Sequence, residues 1–301
     1  MLKKYYILWF VISCINLYSN DFFIENTAGE VSIEYNSTDQ QYTYKSYLDE
    51  KIVFYDSEII YKDNGFGYLK SKIKNKMNTS IVITGRNNFL LYNSEVKGLS
   101  FMVFPQYDLY TEYFTYTNRK NKEAHSSPYF NKDFYTDQKI RVYTFGIKEV
   151  ISSTSLKEEL HGQTIEYSAM SLNNRYISNF ITLYWNSELP PWVEGVDGYG
   201  IGEWLEVAYE EPTDNIVILN GYVDFLKTNL YKDNSRVKKF KIISEDDGDP
   251  FEIEITLEDI VKFQYFELPR KAKKVKLEIV EVYEGRKWAD TAVTGIFSLV
   301  K

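Results

Sequence analysis

The chain has 301 residues, an aromatic content of 17% and a formal net charge of −8. This length allows one large β domain or two ordinary domains. Its 27 Tyr and 19 Phe favour sheets over helical bundles, because their flat rings pack well on a pleated surface. A surface that neutralises phosphates needs clustered Lys and Arg, so the acidic balance argues against nucleic acid as a partner.

The first twenty residues have the pattern of a secretory signal. Two lysines precede the short apolar run 5–12, and small and polar residues follow, ending in Ser19 and Asn20. The run is too short to span a bilayer permanently. We therefore expect residues 1–19 to be a removed signal and the mature protein to be exported, to the periplasm, the outer surface or the medium.

Cys14 is the single cysteine, so the chain has no intramolecular disulfide. It closes the segment Val11-Ile12-Ser13-Cys14, which resembles a bacterial lipoprotein box. If cleavage occurs there, the sulfur carries a lipid that anchors the protein to a membrane. If cleavage follows Ser19 instead, Cys14 is discarded with the signal. Both interpretations remain open from the sequence.

The region after the signal consists of short runs of β-branched and aromatic residues that alternate with turn residues. The runs Lys51–Tyr55 and Ile59–Lys62 precede Asp63-Asn64-Gly65, whose residues tolerate the positive φ of a hairpin turn. No sustained helical period is present. The pattern predicts a smaller β-rich domain over residues 20–142 and does not indicate its role. The other predicted strands here are 81–84, 89–92, 99–104 and 107–116.

Lysine alternates with other residues over one stretch of this half, at Lys70, Lys72, Lys74 and Lys76. The alternation predicts that all four lie on one strand. Lysines on a solvated face or an edge keep a strand from pairing with other chains, which is the simplest explanation of the run. Contact with an anionic lipid or glycan is the alternative.

The second half has clearer strand periodicity. Phe251, Ile253, Ile255 and Leu257 alternate with polar residues, so one face of this strand is buried and the other is wet. Short alternating strands between turn signals indicate a sandwich or jelly roll. Further predicted strands are 205–209, 216–218, 240–242 and 275–279, and the predicted turns are 211–214, 246–250 and 268–269.

Tryptophan is distributed unevenly along the chain. All four tryptophans beyond the signal lie at position 185 or later. This shift in composition predicts a second domain, with a boundary near residues 142–150. The fold class expected for the whole chain is therefore all-β.

Several short motifs follow one another in a specific order and spacing over residues 146–301. They are Ile151–Ser155, Tyr167–Leu172, Pro191–Gly195, Gly198–Trp204, Asn220–Tyr222, Tyr231–Arg236, Val282–Gly285 and Asp290–Ala292. Together they resemble the discoidin-type (factor V/VIII type C) domain of secreted bacterial NAD glycohydrolases. In that family the domain serves in translocation and glycan binding.

The resemblance implies a galactose-binding-like β-sandwich jelly roll over residues 146–301, with a glycan as the partner. It does not imply the NAD glycohydrolase catalytic domain, which residues 21–142 do not resemble. In one place the sequence departs from the expected pattern. An acidic residue is expected after Asp290-Thr291-Ala292, and Thr294-Gly295-Ile296 stands there instead. This departure counts against a cation site at that position.

The candidate glycan site lies in the segment 222–236. Sugar recognition needs planar groups that bond hydroxyls and an aromatic face for the apolar side of the ring. Tyr222, Tyr231, Asn234 and Arg236 supply these types within one loop region. The alternative is that Arg236 pairs with a carboxylate and fixes the loop.

Three further residues are candidates outside that segment. Trp192 follows Pro191 in a predicted loop and is either a sugar-stacking platform or a core residue, and Glu194 and Tyr283 are the next candidates. The glycines at 195, 198, 200 and 202 indicate a tight crossing of the chain, with Trp204 as a core anchor beneath it. They lack the Gly-Lys-Ser/Thr of a phosphate loop.

An enzyme is the rival class of function. His125 and His161 are the two histidines. His161 lacks the second histidine one helical turn away that a zinc protease needs, and His125 lies in a polar stretch that predicts a solvated loop. No Gly-x-Ser-x-Gly elbow is present. We therefore expect a non-catalytic glycan-binding envelope protein with no cofactor or metal. A structural or protein-interacting envelope protein and an uncharacterised hydrolase remain the alternatives, and the sequence does not indicate the oligomeric state.

Overall fold

The computed structural model describes residues 22–25, 31–36, 41–46, 52–54, 59–73, 76–85, 89–93, 98–104, 109–112, 147–160, 162–173, 190–245 and 250–298. The signal 1–19, Cys14, His125 and His161 lie outside these ranges. Within the described residues, no helix is long and apolar enough to cross a membrane. The expectation of an all-β chain is confirmed, since the helices described are two single turns, α1 (Met170–Asn173) and α2 (Leu230–Asp233).

The first sheet is an antiparallel meander in which neighbouring strands of the chain pair with one another. The order is β1-β2-β3-β4-β6-β7-β8-β9-β10, with β5 paired to β6. The strands are β1 (Phe22–Glu25), β2 (Val31–Asn36), β3 (Gln41–Ser46), β4 (Ile52–Phe54), β5 (Ile60–Tyr61), β6 (Gly67–Ile73), β7 (Lys76–Thr84), β8 (Phe89–Asn93), β9 (Gly98–Phe104) and β10 (Leu109–Glu112).

The predicted hairpin at Asp63-Asn64-Gly65 is present between β5 and β6. Gly65 has φ +84°, the left-handed conformation that glycine adopts without strain. The interpretation of the lysine run is wrong in one respect. β6 ends at Ile73 and β7 begins at Lys76, and these two residues pair across the β6–β7 hairpin, so the lysines do not share one strand.

The second half forms the jelly roll, whose sheet has the order β11-β15-β18-β16-β19-β14, with β17 on β16. β12 and β13 form a separate hairpin. The strands are β11 (Ile147–Ser152), β12 (Lys157–Leu160), β13 (Gln163–Glu166), β14 (Trp192–Val193), β15 (Trp204–Asn220), β16 (Ser235–Ser244), β17 (Phe251–Thr256), β18 (Phe263–Tyr283) and β19 (Thr291–Phe297).

Two long strands replace three predicted short ones, 205–209 and 216–218 in β15 and 275–279 in β18. β15 runs through 211–214 and β18 runs through 268–269, both of which the sequence predicts as turns. The pairing of β15 with β18 shifts register between Ala208 and Asn215, so the two strands bend together at this point. A shared bend lets one pair of strands cover both layers of a sandwich, and proline is tolerated at such an irregularity.

The core of the jelly roll is built by the alternation that the sequence shows. In β17, Phe251 and Ile255 are buried while Glu252 and Glu254 are exposed, as predicted. The core joins residues of β15, β16, β18 and β19 with Trp192 from β14. Trp204, by contrast, is half-buried rather than a core anchor, and the Lys276 ammonium lies 5.1 Å from its ring centroid.

Candidate functional site

The candidate site is the end of the jelly roll next to the first residues of β16 and β19 and the last residues of β17 and β18. Four loops meet there and together form the loop end: 194–203, 221–234, 257–262 and 284–290. Backbone and side-chain hydrogen bonds join them. Arg286 N donates to Lys232 O at 2.9 Å, and Thr291 Oγ1 donates to Tyr199 O at 2.8 Å.

Arg236, the second residue of β16, is hydrogen-bonded to three of these loops. Its guanidinium donates twice to the Asp259 carboxylate, at 3.0 and 2.9 Å, in the paired geometry that suits arginine and a carboxylate. The remaining nitrogen, Nη1, donates to Asn234 O at 2.8 Å and to Glu284 O at 3.0 Å. The side chain is 4% exposed. This is the geometry of the alternative in which Arg236 fixes the loop.

Asp259 is also paired with Lys232, whose ammonium lies 2.6 Å from Oδ2. Burial by itself raises the pKa of Asp259. The hydrogen bonds and positive charges of Arg236 and Lys232 outweigh burial and hold that pKa below its ordinary value. The carboxylate is therefore ionised at neutral pH and already has two cationic partners.

The β5–β6 hairpin of the first sheet docks on the loop end. Phe66 is fully buried, with its ring 6.4 Å from that of Phe225 and 6.1 Å from that of Tyr231, both edge to face. The amide of Val261 donates to Gly65 O at 2.9 Å. The side chain of Asn64 adds a hydrogen bond to Thr228 Oγ1 at 3.2 Å. The first half of the chain thus supplies part of the wall of this site.

A cavity of about 370 Å³ lies between the hairpin and the jelly roll. Seven charged side chains line it. The cations are Lys62, Lys232, Arg236 and Arg286, and the anions are Asp63, Asp259 and Glu284. Its walls therefore carry one positive charge in excess, on a protein whose net charge is −8.

Two aromatic side chains are exposed at the loop end. Trp288, in the loop 284–290, is 43% exposed, and Tyr199, in the loop 194–203, is 38% exposed. The Lys287 ammonium lies 5.5 Å from the Trp288 ring centroid. A hydrogen bond with Glu284 raises the pKa of Tyr199 and ties its hydroxyl to the loop that carries Trp288.

The structure brings the four predicted residues of segment 222–236 into one region, but most of their surface is covered. Tyr231 is fully buried, and Asn234, also buried, donates from its side chain to Leu230 O at 2.9 Å. Tyr222 packs edge to face on Tyr167, with ring centroids 6.4 Å apart, and burial raises its pKa to about 12. Of the four, Arg236 lines the cavity.

The other predicted residues have structural contacts as well. Trp192 has no exposed surface and donates from its indole nitrogen to Thr154 O at 2.9 Å, so it cannot stack on a sugar in this conformation. Glu194 is equally buried, and burial raises its pKa although the amides of Val196 and Thr291 donate to its carboxylate. Tyr283 donates from its hydroxyl to Leu257 O at 3.0 Å.

The glycine-rich segment before β15 is a tight crossing at two of its glycines, as the sequence predicts. A Cβ on Gly195 would lie 2.6 Å from Ser155 O. A Cβ on Gly200, which has φ +66°, would lie 2.5 Å from the buried side chain of Glu194. Bulky residues are therefore excluded here by contact and, at Gly200, by backbone conformation as well.

Sequence reasoning missed the two exposed aromatics and the contribution of the hairpin. Trp288 stands in the strongly polar loop Gly285-Arg286-Lys287-Trp288-Ala289-Asp290, and an aromatic with such neighbours is a signal of exposure that the sequence does contain. Phe66 lies more than 150 residues away in the sequence from the rings it contacts, so no local sequence pattern indicates its docking. In the part of the chain that the structure describes, no group of His, Cys, Asp and Glu is arranged to hold a metal ion.

Comparison with solved structures finds similar folds at low sequence identity. An X-ray structure of a GH31 CBM32-2 domain bound to GalNAc is 14% identical (TM-score 0.32; 51% of this chain and 98% of that one). The NMR structure of the Streptococcus pyogenes NAD+-glycohydrolase translocation domain is 20% identical (TM-score 0.24; 37% of this chain and 92% of that one). The crystal structure of SpGH29 is 18% identical (TM-score 0.34; 52% of this chain), and the chain spans only 27% of that protein.

No curated protein matches the chain in sequence. A protein-family model does match, over residues 143–298, which is more than half of the chain and includes every strand of the jelly roll. That model describes the translocation F5/8 type C domain of NAD glycohydrolase. The resemblance found in the sequence is confirmed. The chain belongs to the NAD glycohydrolase translocation F5/8 type C domain family.

Proposed function

We propose that this protein is exported and binds carbohydrate through the loop end of its jelly roll, without catalysing a reaction on it. The single observation that carries the proposal is the exposure of Trp288 and Tyr199 on adjoining loops. Among the exposed large apolar side chains of the described residues, these two are the aromatic ones, and both lie at the loop end. Other large rings, such as Trp192 and Tyr209, are buried.

An exposed ring next to polar groups is what a sugar requires. The apolar face of a pyranose stacks on an aromatic ring, and its hydroxyls need planar donors and acceptors around the edge. Glu284 and Arg286 lie in the same loop as Trp288 and line the cavity beside it. Membership of the F5/8 type C domain family supports the same proposal, since the domain serves in glycan recognition in the family that the sequence resembles.

The proposal is tested by glycan binding of the full chain and of Trp288→Ala and Tyr199→Ala. A ring covered by a sugar over roughly half of its surface contributes about 1–2 kcal/mol, so each variant should bind roughly fivefold to thirtyfold more weakly. Leu226→Ala is the matched control, since Leu226 is an exposed apolar residue of the same loop end. Unchanged glycan affinity in both aromatic variants would falsify the assignment of the site.

A further inference from the structure

Lys62 and Arg286 both line the cavity. Lys62 belongs to the β5–β6 hairpin and Arg286 to the loop 284–290, and Arg286 donates to Asp63 O of the hairpin at 3.4 Å. Neither side chain is in an ion pair with a carboxylate of the described residues. Lys62 instead lies over the ring of Tyr68, 4.0 Å from its centroid.

The walls of the cavity keep one positive charge in excess, because four cationic side chains line it against three carboxylates. The Asp259 carboxylate is already paired with both Arg236 and Lys232, so it does not pair with Arg286 or Lys62. The other two carboxylates of the cavity are Asp63 and Glu284, and Glu284 also accepts a hydrogen bond from the Tyr199 hydroxyl. A metal ion does not suit this arrangement, because cations outnumber carboxylates on the walls. An anionic group does suit it, because an arginine fork and a lysine recognise carboxylate and sulfate oxygens.

We infer that the cavity binds the carboxylate or sulfate of an acidic saccharide, and that Lys62 of the hairpin completes this site. The inference rests on the proposed function, since it gives the sugar at Trp288 an acidic group. Trp288 lies two residues from Arg286 in one loop, so a sugar stacked on the ring is close enough to extend that group towards the cavity. A neutral sugar would leave the excess positive charge of the cavity without a counter-charge.

The test compares acidic glycans with their neutral counterparts on the full chain. An array carrying uronate-bearing and sulfated saccharides beside the same saccharides without the acidic group gives the preference, and calorimetry on the best pair gives the affinities. We expect the acidic member to bind about tenfold more tightly, because charge-assisted hydrogen bonds are the stronger ones. Lys62→Gln should remove most of that preference without changing the affinity for the neutral member. Arg286→Gln should also remove most of the preference, and it should weaken the binding of the neutral member as well, because Arg286 lies in the same loop as Trp288.

The control is Lys274→Gln, which removes an exposed lysine of β18 that pairs with Glu206, away from the cavity. It should leave the preference unchanged. Equal binding of acidic and neutral members, both weakened by Trp288→Ala, would overturn this inference and leave the proposed function in place. An acidic preference that survives both cavity variants would overturn it as well. If no saccharide binds at all, the proposed function fails together with it.

Discussion

At the scale of single residues, Arg236 shows why a loop residue with binding chemistry need not contact a ligand. Its four hydrogen bonds reach Asp259, Asn234 and Glu284, so all parts of the guanidinium have partners inside the protein. A buried guanidinium with these bonds is a fixed part of the wall rather than an adaptable ligand group. Its contribution to any binding is to position the loops around the cavity.

This position predicts a stability effect. Arg236→Ala leaves the Asp259 carboxylate with Lys232 alone, and the loss of the paired hydrogen bonds should lower the free energy of unfolding by about 3 kcal/mol. For a domain of this size the melting temperature should fall by roughly 6–12 °C. Arg286→Ala is the matched control, an exposed arginine of the same end, and we expect it to change stability by less than about 0.5 kcal/mol.

The loss of stability in Arg236→Ala should also depend on pH. The pKa of Asp259 in the folded protein is lowered, so its ion pairs stabilise the fold above the unfolded pKa of about 3.9 and lose their effect as the pH falls through the folded value. The difference between wild type and Arg236→Ala should therefore be largest near pH 7 and shrink towards pH 3 in calorimetric melts. A difference that is constant over this range would contradict the ion-pair role.

At the scale of elements, the sequence predicts the positions of individual strands well, but it predicts turns where long strands in fact bend and continue. The alternation in β17 predicts both the strand and its buried face, and Asp63-Asn64-Gly65 predicts the hairpin, because both signals are local. The sequence predicts turns at 211–214, inside β15, and at 268–269, inside β18, because polar residues and proline resemble turns there. A bend shared by two paired strands is fixed by their pairing, which no local pattern contains.

The same reasoning explains the candidate site. Tyr231 has the chemistry of a sugar platform in the sequence, but the ring of Phe66 covers it from another sheet. Burial of this kind depends on contacts between distant residues, so residue type alone could not predict it. Trp288, in a loop of polar residues, was the better signal for an exposed ring.

The hairpin contact leads to a prediction about local opening. Phe66→Ala removes a fully buried ring from between Phe225 and Tyr231, a change that costs about 3–5 kcal/mol in a packed core. Without this ring the hairpin should detach from the loop end more often, which breaks the hydrogen bond from the Val261 amide to Gly65 O. Hydrogen exchange at the Val261 amide should therefore become faster. Ile60→Ala, an exposed residue of β5, should leave the exchange rate unchanged. Retained protection of Val261 in Phe66→Ala would show that the hairpin stays docked without the ring.

At the scale of the whole molecule, the question is how far the two sheets depend on each other. The described strands form separate hydrogen-bonded sheets, β1–β10 in one and the jelly roll in the other, and the family match begins at residue 143. The docked hairpin nevertheless covers Phe225 and Tyr231 and supplies one wall of the cavity. The core of the jelly roll does not include Phe66. Independent folding of the jelly roll is therefore compatible with a need for the hairpin at the loop end, where the hairpin covers two of its rings.

We predict that residues 143–301, expressed alone, fold with one cooperative thermal transition, because the core from β15, β16, β18 and β19 lies within this fragment. Without Phe66 the rings of Phe225 and Tyr231 lose their cover, so the fragment should melt at a lower temperature than the jelly roll in the full chain. In the full chain carrying Phe66→Ala, the jelly roll should melt at the same temperature as the isolated fragment. If the fragment shows no cooperative transition, the two halves form one folding unit, and the predicted boundary near 142–150 is not a domain boundary.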